Sequence, residues 1–120
     1  MDRRQPERLE AVETARVAYL DWSPKSRRDS LDLVLVAVCD VTRTDIIEVA
    51  SDRRFAHLIP ARFLWWACLR EYFGMTYMEI GDFVNRDYST VIRGSKLVPR
   101  HLLELMAPLM PMPFPPKVGD

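Results

Sequence analysis

Glycine, cysteine and histidine are all scarce in this 120-residue chain, which holds four glycines, two cysteines and two histidines. Cys39 and Cys68 form no CxxC pair, and each falls inside an apolar helical pattern. Buried free thiols are therefore expected, rather than a redox pair or a disulfide framework. His57 and His101 stand at no metal-ligand spacing, so no metal site is expected. The sequence has no GxxxxGK(S/T) phosphate loop, and its length leaves no room for an ATPase module beside a second domain. It shows no Ser/His/Asp arrangement and no convincing pair of carboxylates. The chain is read as a non-enzyme with no catalytic residue and no cofactor. Long apolar runs are missing too. The longest, LVLVAVC from Leu33 to Cys39, is too short to span a bilayer. The opening MDRRQPERLE lacks the apolar centre of a signal peptide, which predicts a cytoplasmic protein with no membrane partner.

The chain also lacks net charge, with 17 basic and 17 acidic residues. The balance is not uniform. Residues 1–52 carry eight basic and eleven acidic side chains, whereas residues 53–100 carry eight basic and four acidic ones. A neutral sum thus conceals a basic block, and a phosphate responds to the local field rather than to the sum.

Periodicity and capping signals predict an all-α chain. Residues 5–20 place Leu9, Val12 and Tyr19 on one helical face, and Trp22-Ser23-Pro24 ends that segment. KSRRDS reads as a polar linker. Ser30 is the expected N-cap of a buried helix, LDLVLVAVCDVTR, and Thr44 that of a short one, DIIEVAS. DRRFAH, residues 52–57, reads as a loop. Pro60 suits the first turn of the long helix that follows, ARFLWWACLREYF, and Gly74 suits its end. Thr76 and Glu79 make a capping box for YMEIGDF. Residues 84–86 form a turn, and Asp87 is the expected cap of YSTVIRGSKLV, which Pro99 limits. Five of the nine prolines follow residue 107, so MAPLMPMPFPPKVGD is expected to be an extended tail. Its methionines and Phe114 read as packed against the bundle or as a strip for a partner. Of the adjacent indoles, Trp65 is expected to pack in the core. Only one of two consecutive helical positions points squarely inward, which leaves Trp66 closer to the surface. The organisation expected is an N-terminal helix and linker over 1–29, a helical domain over 30–105 and a proline-rich tail over 106–120.

Residues 76–98 form a unit with chemistry: a capped short helix, a three-residue turn and a second helix. In a helix-turn-helix the second helix offers its first turn to base edges in the major groove. Here that turn is Asp87-Tyr88-Ser89-Thr90. Every member can hydrogen bond, and Asp87 can accept from a cytosine amino group. Arg93, Lys96 and Arg100 follow at spacings of three and four, a row able to track phosphates.

EIGDFVNRDYSTVI, Glu79 to Ile92, resembles the signature of the C-terminal DNA-binding domain of the bacterial replication initiator DnaA. That signature runs approximately EIGxxFGGRDH, then Ser or Thr, then TV. SDRRF, Ser51 to Phe55, resembles the family's basic loop, and Pro60 to Gly81 resembles its long helix and first motif helix. The resemblance covers Val34 to about Val98. It implies a helical bundle whose helix-turn-helix is related to that of the Trp repressor, and double-stranded DNA as the partner. It implies Arg54 in the minor groove, and Asp87, Tyr88 and Ser89 on bases in the major groove. It implies phosphate contacts from Arg62, Arg70, Thr90 and Lys96, with Tyr77 and Met78 approaching the DNA and Arg86 inside the signature. Asn85 stands alone where the family has two glycines, so the turn is one residue shorter, and Tyr88 replaces a histidine. The function expected is recognition of DnaA-box-like sites by a nucleoid-associated protein that regulates or competes in replication initiation or transcription. A second reading keeps the fold but makes the chain an interaction module. The N-terminal helix or the tail would then bind a replication or transcription protein. Dimerisation through residues 5–20 would impose a half-site spacing.

Overall fold

The computed structural model describes residues 27–111. The expected helix over 5–20, Met112 and Phe114 lie outside the described residues. The described chain runs through six α-helices: α1 Arg27–Thr42, α2 Ile46–Ala50, α3 Ile59–Phe73, α4 Tyr77–Val84, α5 Tyr88–Lys96 and α6 Arg100–Met106. Single 3-10 turns precede α3, at Ala56–Leu58, and follow α6, at Ala107–Leu109. No strand occurs among the described residues.

The β-branched segment forms α1, as the missing partner strand suggests. Leu33 to Val38 are all buried, as befits a helix that is apolar all round. The helix begins earlier than expected. Arg27 and Arg28 belong to it rather than to a linker, and Ser30 lies buried inside its first turns instead of capping it. The cap of α2 also shifts by one residue. Asp45 accepts from the Ile47 backbone N–H at 3.3 Å, while the Thr44 hydroxyl lies 2.7 Å from that of Thr42.

Helix α3 is the central element, in contact with α1, α5, α6 and α4. Being enclosed on several sides, it buries both indoles, with Trp65 4 % and Trp66 3 % exposed. This corrects the expectation for Trp66. Its surface is covered by α5, which approaches closely at Gly94. A Cβ there would stand 2.5 Å from the Phe63 ring and 3.0 Å from that of Trp66. Trp65 meets Phe83 of α4 edge-on, with ring centroids 6.2 Å apart.

Pro99 ends one helix and starts another. Its carbonyl accepts from the N–H groups of Leu102 and Leu103, which opens α6. The Tyr72 hydroxyl donates to the Leu103 carbonyl at 2.5 Å and Arg100 pairs with Glu71 at 3.0 Å, so α6 is docked on α3. Met106 and Met110 are buried. The core therefore extends past the expected boundary at 105, and the chain to Pro111 is packed rather than extended. Cys39 and Cys68 are free, buried thiols, and burial pushes each up to about 12.

Candidate nucleic-acid interface

The helix-turn-helix is α4, a short turn and α5. The capping box at its start is complete: Glu79 N–H donates to the Thr76 hydroxyl at 3.1 Å, and the Glu79 carboxylate accepts from Thr76 N–H at 2.8 Å. Asn85 ends α4 in the left-handed region, at φ 58° and ψ 51°. Asparagine takes that conformation more readily than other non-glycine residues, which is how the shortened turn closes. Gly81 is required by proximity. Its carbonyl accepts from Arg86 N–H at 2.9 Å, and a Cβ on it would stand 2.7 Å from the Arg86 carbonyl oxygen.

Helix α5 then presents Asp87, Tyr88, Ser89 and Thr90, all exposed. Asp87 holds the N-cap position in extended backbone but makes no capping hydrogen bond. The Ser89 hydroxyl donates to Asp87 Oδ2 instead. This corrects the expected cap. The first turn of α5 keeps unsatisfied backbone N–H groups, and one carboxylate oxygen of Asp87 is left open to an outside donor. Arg93 and Lys96 lie further along α5, exposed and without an ion pair among the described residues. Arg100 does not continue their row. It belongs to α6, where it pairs with Glu71 at 3.0 Å and lies 3.7 Å from Glu104.

The basic loop between α2 and α3 sits beside α5. A cleft of about 570 Å³ is walled by Asp52 and Arg54 on the loop side and by Asp87 and Thr90 on the helix side, with Asn85 and Arg86 between them. Arg54 is exposed and makes no hydrogen bond or ion pair among the described residues. Arg62 is different. It is 6 % exposed, and its guanidinium donates to four backbone carbonyls: Val49 at 3.1 Å, Glu48 at 3.0 Å, Ser51 at 2.8 Å, and Arg53. Burial and the neighbouring Arg86 charge hold it below the usual arginine value. The expectation of an Arg62–phosphate contact is corrected on this geometry. Its donors are committed inward, and it gathers the loop that carries Arg53 and Arg54. Arg86, half-buried, donates to the same Ser51 carbonyl at 3.2 Å and so ties the turn before α5 to that loop.

Arg70 is exposed at the other end of α3. Its Nη1 donates to the Met75 carbonyl at 3.1 Å, and its guanidinium carbon lies 4.6 Å from the centroid of the Tyr77 ring. The pair is thus oriented at the start of α4, where Met78 stands 65 % exposed.

One feature of the loop escaped the sequence reading. Phe55, directly after Arg54, is 48 % exposed. Its ring stacks on that of His57 with centroids 5.8 Å apart and planes at 12°, and the Arg53 guanidinium carbon lies 5.8 Å from its centroid. His57 and Arg53 both reach Glu48, at 3.5 and 3.6 Å. A large aromatic next to two arginines in a polar loop was the available signal.

Among the described residues, no helix is long and apolar enough to cross a membrane, and no cluster of three or more His, Cys, Asp or Glu could hold a metal. No curated protein and no solved structure matches the chain. A family model does: the bacterial dnaA protein helix-turn-helix matches residues 31–98. That span is more than half of the chain and contains α2 to α5 whole, with the capping box, the left-handed Asn85 turn and the basic loop in place. The chain therefore belongs to the bacterial DnaA helix-turn-helix family, a family of DNA-binding domains.

Proposed function

We propose that this chain is a sequence-specific double-stranded DNA-binding protein that recognises DnaA-box-like sites, and that it regulates or competes in replication initiation or transcription without enzymatic activity. The observation that carries this reading is the cleft. Arg54 on one wall and the first turn of α5 on the other are exposed side by side. A major-groove reader and a basic loop can therefore engage one duplex at once. Asp87, Tyr88 and Ser89 read base edges, and Asp87 offers an acceptor to an amino group. Arg54 enters the minor groove, which is narrow and strongly negative over A·T runs. Arg70, Thr90, Arg93 and Lys96 hold phosphates and set the register.

Fluorescence anisotropy on a DnaA-box duplex and a scrambled duplex, at two salt concentrations, tests the reading. Tighter binding to the box with a salt slope on both duplexes supports it. Asp87→Ala or Ser89→Ala should cost about 1–3 kcal/mol on the box and little on the scrambled duplex. Arg70→Ala should weaken both alike. Equal binding of the wild type to the two duplexes would overturn site recognition. Failure to bind either at low salt would favour the interaction module.

A further inference from the structure

We infer that Arg86 is a positioning residue that joins the basic loop to the turn before α5, so that Arg54 and the first turn of α5 engage DNA as one coupled unit. This rests on the reading above, in which the two address the minor and major grooves of one duplex. They face each other across the cleft, and Arg86 lines it with them. Its guanidinium is folded back over the turn. Nη1 donates to the Asn85 carbonyl at 3.3 Å, and Nη2 crosses to the Ser51 carbonyl at 3.2 Å. The link is stiff where it leaves the turn, because Arg86 N–H is held by the Gly81 carbonyl at 2.9 Å and Asn85 is left-handed. It is stiff at the loop as well. Ser51 is buried, its carbonyl also accepts from Arg62 at 2.8 Å, and its hydroxyl oxygen accepts from Arg53 N–H at 3.2 Å. The Arg53 carbonyl accepts from Arg62 in turn, and Arg54 is the next residue.

Like charge opposes this placement. Arg62 and Arg86 bring two guanidiniums to one carbonyl oxygen, and neither forms an ion pair among the described residues. A long cationic side chain ordinarily relieves such repulsion by carrying its head into water. Arg86 stays half-buried on the carbonyl instead, where a charged donor makes a stronger hydrogen bond than a neutral one. The consequence for binding is mechanical. A loop already held at a fixed distance from α5 loses less freedom when a duplex arrives. Arg54 then reaches its groove only when α5 is seated in register, so a base change that unseats α5 also withdraws Arg54. Arg86 thereby sharpens the preference for one site without touching a base or a phosphate.

The test uses the full chain, with anisotropy on a DnaA-box duplex and a scrambled duplex at two salt concentrations. Arg86→Met keeps an apolar stem of similar packing but removes the donors and the charge. It should lower affinity for the box about tenfold, a loss comparable with that of one specific contact. Affinity for the scrambled duplex and the salt slope should barely change. Arg54→Ala alone should cost about as much on the box. The double variant should fall far short of the roughly hundredfold loss that two independent contacts of that size would give. Arg86→Lys should restore most of the box affinity, since a single carbonyl across the cleft needs only one donor. Urea denaturation checks that each variant is folded. If the methionine variant is not, Arg86→Gln, a side chain too short to reach Ser51, replaces it in the cycle. Wild-type affinity for the box in Arg86→Met overturns the inference. So do losses that multiply with those of Arg54→Ala on both duplexes, with a salt slope lowered by about 0.9, which mark an independent phosphate contact. The two readings fail separately. A wild type that binds both duplexes equally rejects site recognition. Non-additivity of Arg54 and Arg86 in that common affinity then keeps the link, and additivity rejects it. Absence of binding to any duplex rejects both.

Discussion

Replacing Arg62 by alanine distinguishes an arginine that touches phosphate from one that builds the surface others use. The side chain supplies hydrogen bonds to the carbonyls of Glu48, Val49, Ser51 and Arg53. Two of these keep a partner without it. Glu48 still accepts from Ser51 N–H at 3.1 Å and from the Ser51 hydroxyl at 2.6 Å, and Ser51 still accepts from Arg86. The carbonyls of Val49 and Arg53 lose the partner that Arg62 provides. An unsatisfied buried polar group costs about 1–3 kcal/mol, and water entering the vacated space recovers part of it, so a loss of about 2–4 kcal/mol is expected. Urea denaturation of wild type and Arg62→Ala measures it. Arg62→Lys should recover little, because an ammonium is a single point of donors and cannot span four carbonyls as a guanidinium does. On DNA, the loosened loop should weaken the Arg54 contact. Arg62→Ala and Arg54→Ala should then be non-additive in a double-mutant cycle. A phosphate contact behaves otherwise: its removal leaves folding untouched and lowers the salt slope by about 0.9. An Arg62→Ala protein of wild-type stability with such a slope change would refute the inward assignment.

Arg93→Ala and Lys96→Ala should each flatten the salt slope by about 0.9, whereas Arg100→Ala, already paired with Glu71, should leave it unchanged. Gly81→Ala forces a Cβ to within 2.7 Å of a backbone oxygen. It should destabilise by about 1–3 kcal/mol in thermal melts and weaken DNA binding by displacing α5. The two thiols are held at about 12 in the fold against 9.0 for the free group. Their contribution to stability is complete below pH 9 and is lost as pH rises from there toward 12, because only the unfolded chain ionises them in that interval. A thiol reagent at pH 8 should label neither cysteine natively and both in denaturant.

Local chemistry made much of this fold legible. The Thr76–Glu79 box, Gly74 in the left-handed region at φ 64°, Pro60 in the first turn of α3 and the Asn85 turn are each set by a few neighbouring residues. What escaped was decided at a distance. Arg62 looks like a surface cation until four carbonyls of α2 and the loop after it, 9 to 14 residues away, are seen to converge on it. Trp66 is buried because Gly94, in another helix, lets α5 approach. Pro99 is locally both a stop for α5 and a start for α6, and Tyr72 and Glu71 of α3 favour the second role by docking α6. At the interface the exposed first turn of α5 was readable from its position after the turn. The exposure of Phe55 was not, since an aromatic in a loop commonly folds inward.

The two carboxylates at the cleft bear on how such a surface discriminates. Asp52 and Asp87 line the same cleft as Arg54 and Arg86, where a phosphate-binding surface would be expected to exclude them. Each weakens attraction to any DNA backbone, so affinity for arbitrary sequence is held down. Under the proposed reading Asp87 offsets that loss only where the facing base presents an amino donor. Facing an acceptor, the same oxygen is desolvated without a partner and repelled. Ser89 sharpens the choice by holding Oδ2, which leaves a single oxygen to be satisfied. Asp87→Asn should therefore tighten binding to scrambled DNA while reducing preference for the box, because the amide removes the repulsion and can donate as well as accept. Anisotropy on the two duplexes at matched salt reads both changes. An Asp87→Asn protein weaker on every sequence would show that the carboxylate acts by holding the turn and not by choosing a base.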